Sequence, residues 1–309
     1  MRNHFAKELV KMAEKDDSIV LLYGDIGNKL FDQFKVQFPG RYFNCGVAEA
    51  NMVSVAAGLA KSGFKPWVYT INSFLYLKTL EQIKLDVCYQ ELPVTLVGTG
   101  GGLSYSELGT THHSLEDLGV LSQLPALKVF APGTTSSLSE VMKYVQFDSK
   151  PAYLRIGKKE EFDAKCDITQ RTSDFIGIFE IDPYQSPVEL AILSVGTIVE
   201  NVSSAVSQAR NSGIKLKHFH VPQLSPMNSL SMRYLLDSFT RLVVVEEHYP
   251  SGGLYSQLCI KKSEANSRTE IHRLGPSHNY FVGLGHLEEA RAKLGISSEA
   301  IYANLLVKP

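Results

Sequence analysis

Short apolar runs alternate with longer helix-like stretches through the first half of the chain, and this alternation restricts the fold more than any other feature. The apolar runs, which predict buried strands, lie at 18–23, 42–45, 66–71, 93–97, 127–130 and 152–156. The stretches between them predict helices at 3–15, 48–61, 74–89, 115–123 and 137–146. Strands that alternate with helices form a mostly parallel sheet with helices on both faces. We therefore expect an α/β fold whose ligands bind beyond the carboxyl ends of the strands.

The alternation begins again after a polar interval in the middle of the chain. Strands are predicted at 189–195, 216–220 and 241–245, and helices at 199–212, 227–239 and 253–263. We predict two doubly wound, three-layer αβα domains. The first spans 1–160 and the second, smaller domain spans 187–309, with a linker over 161–186 that has room for one hairpin.

The composition is that of an ordinary globular protein. The chain has 309 residues and a net charge of -1, with 44% hydrophobic and 20% charged residues. This balance gives no electrostatic reason to expect binding to nucleic acid or to an anionic membrane. The amino-terminal stretch lacks the apolar core of a signal peptide, and no apolar run is long enough to span a bilayer. We expect a cytoplasmic protein with free thiols, because its four cysteines are far apart and form no CxxC pair: Cys45, Cys88, Cys166 and Cys259.

Four loops follow predicted strands and should meet at one edge of the first sheet: 24–28, 45–49, 98–113 and 131–135. They carry five candidate site residues, which are Asp25, Glu49, Glu107, His112 and His113. Glu49 opens an alanine-rich helix, where a carboxylate is also stabilised simply by the helix dipole. An imidazole such as that of His112 or His113 can donate and accept hydrogen bonds near neutral pH. An exposed pair without a function is the alternative interpretation of these two histidines.

Three segments, taken in their order and spacing, resemble the transketolase family. They are RYFNCGVAEANMVSVAAGLAKSG (41–63), LSYSELGTTHHSLEDLGVLSQLPALKVFAPG (103–133) and LVVVEEHYPSGGLYSQL (242–258). The resemblance extends from residue 1 to about residue 301. It implies a transketolase-type pyrimidine-binding domain followed by a smaller transketolase C-terminal domain.

Full-length transketolases carry an earlier domain whose GDG…N motif holds the metal and the diphosphate of thiamine diphosphate. The GDIGN sequence at 24–28 does not match that motif in its context. The chain therefore resembles one half of a split-gene transketolase, with no metal site of its own. The resemblance implies a partner subunit that carries the GDG…N motif and holds Mg²⁺ or Ca²⁺, in an α2β2 heterotetramer.

The resemblance also assigns residues to the cofactor. A glutamate at the position of Glu49 hydrogen-bonds the N1′ atom of the cofactor's aminopyrimidine ring, which helps the exocyclic nitrogen to remove the thiazolium proton. An aromatic residue at the position of Phe74 stacks on the same ring, and Tyr76 or Tyr69 could share this task. The family's further aromatic residue falls at Leu77 or Leu80, so this chain departs from the pattern there.

For the substrate, the resemblance places His112 near the reacting carbon, in contact with sugar hydroxyls, and His113 is the neighbouring alternative. The family's substrate-binding aspartate falls at about Leu108, next to Glu107, and its phosphate-holding histidine falls near Gly100. An ordinary aldose phosphate acceptor is therefore in doubt. Asp25 is a further, weaker candidate for substrate contact.

Other charged residues receive weaker assignments. Four basic residues are candidate contacts for an anion, although each is expected to be a solvated surface charge: Arg2, Arg155, Lys158 and Lys159. Glu246, Glu247 and His248 belong to the C-terminal signature, for which we expect a structural role.

The expected reaction is the transfer of a two-carbon ketol unit from a ketose or ketose phosphate to an aldehyde, by a chain that is active only with its partner. Three thiamine-enzyme alternatives remain: the beta subunit of a 2-oxoacid dehydrogenase-type enzyme, a deoxyxylulose-phosphate synthase, and a two-carbon loader for a specialised sugar or carrier-protein pathway. A scaffolding paralogue without catalysis is the alternative from another class. The presence of Glu49 and His112 argues against it.

Overall fold

The computed structural model describes residues 1–27, 29–158, 162–283 and 285–307, and these form two sheets flanked by helices. The strands of the first half are β1 (Ile19–Tyr23), β2 (Tyr42–Asn44), β3 (Lys65–Ile71), β4 (Thr95–Thr99), β5 (Lys128–Phe130) and β6 (Ala152–Ile156). They are parallel, in the order β5-β6-β4-β3-β1-β2. The predicted parallel sheet is confirmed.

Helices cover both faces of this sheet: α1 (Arg2–Ala13), α2 (Asp32–Gln37), α3 (Glu49–Lys61), α4 (Asn72–Lys78), α5 (Leu80–Gln82), α6 (Asp117–Leu121) and α7 (Thr135–Asp148). Side chains alternate along β1, so that Val20 and Leu22 enter one hydrophobic core and Ile19 and Leu21 the other. The first core contains α3 and α4, and the second contains α1 and α7. A strand buried on both faces must be apolar at successive positions, which is why SIVLLY is a continuous apolar run.

The second half forms a smaller sheet of mixed direction. Its strands are β7 (Cys166–Thr169), β8 (Ile178–Ile181), β9 (Leu190–Val195), β10 (Leu216–His220), β12 (Arg241–Glu246) and β13 (Glu270–Leu274), in the order β13-β12-β9-β10-β8-β7. The β9, β10, β12 and β13 strands are parallel, whereas β7 and β8 form an antiparallel edge. Its helices are α8 (Val199–Asn211), α9 (Ser229–Ser238), α10 (Leu254–Ala265), α11 (Leu287–Lys293) and α12 (Ser298–Leu306). The predicted α/β class is therefore found in both halves.

The chain does not pass cleanly from one sheet to the other. The hairpin β7–β8 lies within the predicted linker and joins the second sheet, whereas β11 (Gln223–Ser225) returns to pair with β5 of the first sheet. The two halves therefore share chain segments, and the predicted boundaries at 160 and 187 stay a prediction.

The predicted helix at 74–89 is wrong as a single element. It is divided into α4, α5 and a π-helical turn at Ile83–Cys88. Thr79 interrupts it, since its backbone leaves the helical region and its hydroxyl donates a hydrogen bond to the Leu75 carbonyl. Within the described parts of the chain, no helix combines the length and apolarity needed to cross a bilayer.

Candidate active site

A tight turn after β2 brings Glu49 to the carboxyl edge of the first sheet. The Asn44 side chain accepts a hydrogen bond from the Gly46 N–H at 2.9 Å and donates one to Asp25 Oδ1 at 2.9 Å. Gly46 has a φ of +69°, which a residue with a Cβ atom would adopt only with strain. Helix α3 then begins at Glu49, so the carboxylate lies in a first turn where the helix dipole favours negative charge.

The Glu49 carboxylate is buried and has a cation beside it. Glu49 is 3% exposed, and its Oε2 atom lies 3.3 Å from the Nζ atom of Lys78 on α4. The Lys78 side chain remains 49% exposed. Because an ionised carboxylate is costly to bury alone, this ammonium ion supplies the compensating charge.

Phe74 and His112 complete a cluster around Glu49 and Lys78. Lys78 Nζ lies 4.6 Å from the centroid of the partly buried Phe74 ring. The rings of Phe74 and His112 are 5.1 Å apart in an edge-to-face arrangement. Helices α3 and α4 and the loop before α6 thus bring together three residues that the sequence nominated, and Lys78, which it did not.

The two neighbouring histidines have different surroundings. His112 is partly buried and its Nδ1 atom lies 2.8 Å from Thr111 Oγ1, whereas His113 is buried with its Nε2 atom 3.4 Å from the Phe281 carbonyl oxygen. Burial lowers the pKa of both imidazoles, and nearby Lys158 lowers the pKa of His112 further. His112 is therefore a neutral imidazole on the Phe74 side, and His113 packs against the second half of the chain.

Tyr76 and Tyr69 lie inside the protein rather than at the site. Both side chains are almost completely buried, and the Tyr69 ring stacks on Phe5 at a centroid distance of 5.8 Å. Burial raises the pKa of the Tyr76 hydroxyl, and the Asp117 and Glu116 carboxylates add to this. Of the three nominated aromatic residues, Phe74 is the one whose ring is not fully buried.

Glu107 and Asp25 lie at the edges of the cluster. Glu107 is exposed and forms an ion pair with Lys158, whose Nζ atom also lies 4.5 Å from the centroid of the Tyr105 ring. Asp25 is exposed and is held by Asn44. Of the remaining candidate anion contacts, Arg2 is partly buried at the start of α1, and Lys159 lies outside the described residues.

Arg155 is not the solvated surface charge that we expected. It is buried, its Nη1 atom lies 3.3 Å from Asp117 Oδ1, and its Nη2 atom donates to the Glu247 carbonyl oxygen at 2.8 Å. Asp117 Oδ2 also accepts hydrogen bonds from Asn72 Nδ2 at 2.8 Å and from the Tyr153 hydroxyl at 2.6 Å. Since Asn72 is the first residue of α4, this network fixes the helix that carries Phe74 and Lys78. The prediction failed because a basic residue next to a strand gives no sign of a partner more than thirty residues away in sequence.

The C-terminal signature joins the two halves of the chain. Glu247 Oε1 lies 2.7 Å from Arg291 Nε, and Glu247 Oε2 accepts from the Leu103 N–H at 3.2 Å. His248 Nε2 accepts a hydrogen bond from the Gly119 N–H at 3.0 Å. Gly252, with a φ of +90°, lies so close that an added Cβ atom would be 2.5 Å from the Gly119 Cα atom. This set of contacts, called the junction below, gives these residues structural partners within the chain.

The first sheet edge is suited to hold part of an organic cofactor rather than a metal. A buried carboxylate beside a partly exposed aromatic ring can orient a flat, nitrogen-containing heterocycle. Within the ranges that the structure describes, no group of three or more His, Cys, Asp or Glu side chains is placed to hold a metal ion.

Two family models match the chain. "Transketolase, pyrimidine binding domain" matches residues 1–161, and "Transketolase, C-terminal domain" matches residues 184–301. One of the two subunits of the apulose-4-phosphate transketolase of Phocaeicola vulgatus is 28% identical over 301 residues, which cover 97% of this chain and 94% of the relative. The 1-deoxy-D-xylulose-5-phosphate synthase of Acidobacterium capsulatum is 27% identical over 97% of this chain, but only 47% of that relative is matched.

One solved structure has the same fold over nearly its whole length. It is described as a split gene transketolase, inactive beta4 tetramer, and it superposes with a TM-score of 0.80 at 22% identity. The match covers 98% of this chain and 96% of that one.

Proposed function

The chain belongs to the transketolase family, and on that premise we propose that it is the pyrimidine-binding subunit of a split, thiamine-diphosphate-dependent transketolase. The observation that carries the proposal is the buried carboxylate of Glu49 at the start of α3, beside the partly exposed ring of Phe74. A buried acid with only a partly exposed lysine for compensation is suited to a ligand that brings its own hydrogen-bonding nitrogen.

The residues present fit the pyrimidine end of this cofactor. When bound, thiamine diphosphate supplies an electron sink that allows the bond next to a ketone carbonyl to break. Glu49 would hold a proton between its carboxyl oxygen and the ring nitrogen N1′, and Phe74 would support the ring by stacking. His112, neutral because burial and Lys158 lower its pKa, would donate to or accept from substrate hydroxyls. We assign the diphosphate and Mg²⁺ to the partner.

Exposed apolar side chains around this edge support a protein partner. They are Val47, Val55, Leu77, Leu80, Leu85 and Tyr89, on or next to the segments that carry Glu49 and Lys78. A cluster of apolar side chains exposed together is typical of an interaction surface. The relative from Phocaeicola vulgatus is itself named as one subunit of a transketolase, which is consistent with this. We propose that a subunit with a GDG…N motif covers this surface in an α2β2 assembly, with this chain divided into domains at 1–160 and 187–309.

The reaction that we propose is the transfer of a two-carbon ketol unit from a ketose or its phosphate to an aldehyde acceptor. The relative that is named for apulose-4-phosphate suggests that phosphorylated and branched sugars belong in the first set of substrates to be tested.

The test is a donor and acceptor screen on the chain co-expressed with such a partner, with products identified by mass spectrometry. We expect acceptors lengthened by two carbons, with no release of carbon dioxide. Release of carbon dioxide from pyruvate or another 2-oxoacid would instead support the dehydrogenase-type or synthase alternatives. A pair that binds the cofactor but turns over no substrate would contradict the proposal and favour the scaffolding alternative.

A further inference from the structure

The ammonium group of Lys78 occupies the space between the two residues that we assign to the aminopyrimidine ring. Its Nζ atom lies 3.3 Å from the Glu49 carboxylate and 4.6 Å from the centroid of the Phe74 ring. A flat heterocycle that bonded Glu49 and stacked on Phe74 would need both of these contacts. Lys78 and the heterocycle therefore compete for the same place.

The local structure explains how Lys78 reaches this place and how it could leave. Phe74 and Lys78 are four residues apart on α4, so their side chains lie on the same face of the helix. Lys78 is the last residue of α4, because Thr79 leaves the helical conformation. Its side chain is 49% exposed, so that a change of rotamer would carry the ammonium group into solvent without disturbing the core.

We propose that Lys78 is a placeholder, which neutralises Glu49 in the free chain and is displaced when the cofactor binds. This inference rests on the proposed function. An ammonium ion at ion-pair distance favours a carboxylate over a carboxylic acid. The assigned role of Glu49 needs a proton shared with the ring nitrogen, so the ammonium group must move before Glu49 can act. The ion pair protects a buried charge until the partner is present, and its release weakens cofactor binding.

Three variants separate this role from a general effect of positive charge. Lys78→Met keeps most of the side-chain length and removes the charge, whereas Lys78→Arg keeps the charge. Lys84→Met removes an exposed charge from the π-helical turn that follows and is the matched control.

The first measurement uses the free chain and needs neither cofactor nor turnover. The unfolding equilibrium is measured by urea denaturation for the wild type, Lys78→Met, Glu49→Gln and the double variant, which together form a double-mutant cycle. We expect Lys78→Met to raise the unfolding constant about five-fold in the wild type and to change it little in Glu49→Gln, because the partly exposed pair is of moderate strength. Equal effects in both backgrounds would show that Lys78 does not compensate Glu49, and would overturn the inference.

The second measurement is the affinity of the assembled pair for thiamine diphosphate, by calorimetry. We expect Lys78→Met to bind about five-fold more tightly than the wild type, since no ion pair has to be broken, and Lys84→Met to bind with wild-type affinity. Lys78→Arg should not gain affinity. Unchanged or weaker binding by Lys78→Met, in a pair that binds the cofactor, would overturn the placeholder alone. A wild-type pair that binds no cofactor would overturn the proposed function together with it.

Discussion

Glu49 and Glu247 are both almost completely buried carboxylates, but the protein holds them in different ways. Glu247 lies at the junction and is paired with Arg291 at 2.7 Å, with both side chains 2% exposed, and it also accepts a backbone hydrogen bond. Glu49 lies at an open edge of the sheet, and the cation beside it, Lys78, is half in solvent. The comparison teaches that burial alone does not identify a functional acid. What distinguishes Glu49 is that its compensation is incomplete and removable.

The same contrast extends to the residues around each acid. At the junction, Arg155, Asp117 and Asn72 have specific hydrogen-bond partners, and two glycine backbones touch. At the open edge, a ring and an imidazole remain partly exposed among apolar side chains. We interpret the junction as a finished interior and the open edge as half of an interface.

The largest expected effect tests the junction. Arg291→Met leaves Glu247 buried without its partner, so the free energy of unfolding should fall by about 3–5 kcal/mol. Urea denaturation measures this. Lys293→Met, an exposed change on the same helix, should have an effect within about 0.5 kcal/mol. Equal small effects in both variants would remove the distinction between the two acids.

The corresponding change at the open edge should affect activity rather than stability. Glu49→Gln keeps the shape of the side chain but cannot share a proton in the same way, so kcat/KM of the assembled pair should fall by about 10²-fold or more. The urea midpoint of the free chain should stay near that of the wild type. Turnover at the wild-type rate would defeat the catalytic assignment of Glu49.

The two adjacent histidines should separate along the same line. His112→Asn should lower kcat/KM by about ten-fold, the value of a single hydrogen bond to a substrate hydroxyl, with little change in stability. His113→Asn should lower stability instead, because the His113 side chain is buried against Phe281. Steady-state kinetics and denaturation on both variants check this, and the reverse pattern would assign the substrate contact to His113.

The smallest expected effect is an acid sensitivity of the junction, through His220. This buried imidazole donates from Nδ1 to the Ser194 carbonyl at 3.1 Å and accepts at Nε2 from the Gly133 N–H at 2.9 Å, so it must be neutral. Burial lowers the pKa of His220 to about 3. The unfolded chain therefore binds a proton below a pH of about 6.5 that the folded chain does not, and stability is lost as the pH falls from there towards 3.

Between pH 7 and pH 6, we expect His220 to reduce the free energy of unfolding by about 0.7 kcal/mol. Denaturation of the free chain at both pH values measures this. A stability that rises as the pH falls through this window would show that His220 gains a proton on folding.

The sequence predicted the regular parts of the fold because they depend on local pattern. Apolar runs such as SIVLLY and the alanine-rich stretch after Glu49 became β1 and α3 almost at the predicted bounds. The return of β11 to the first sheet could not be predicted, since its three residues carry no distinctive pattern and pair only through tertiary contacts. The break at Thr79 was missed for a similar reason, because a threonine within an apolar helix pattern is a weak signal.

For the site, local context identified Glu49, Phe74 and His112, which the structure brings together. The sequence could not reveal that Arg155 is internal or that Lys78 reaches Glu49, since both depend on contacts between distant segments. The spacing of Phe74 and Lys78 on one helix was the available signal for Lys78.

The central claim is that the open edge around Glu49 is half of a cofactor site, and calorimetry tests it most directly. Thiamine diphosphate and Mg²⁺ are titrated into this chain alone, into a partner with a GDG…N motif, and into the assembled pair. The account predicts tight binding by the wild-type pair, none by this chain alone, and a marked loss of affinity when Phe74→Ala removes the stacking ring from the pair. Tight binding by this chain alone, or full affinity in the Phe74→Ala pair, would contradict it.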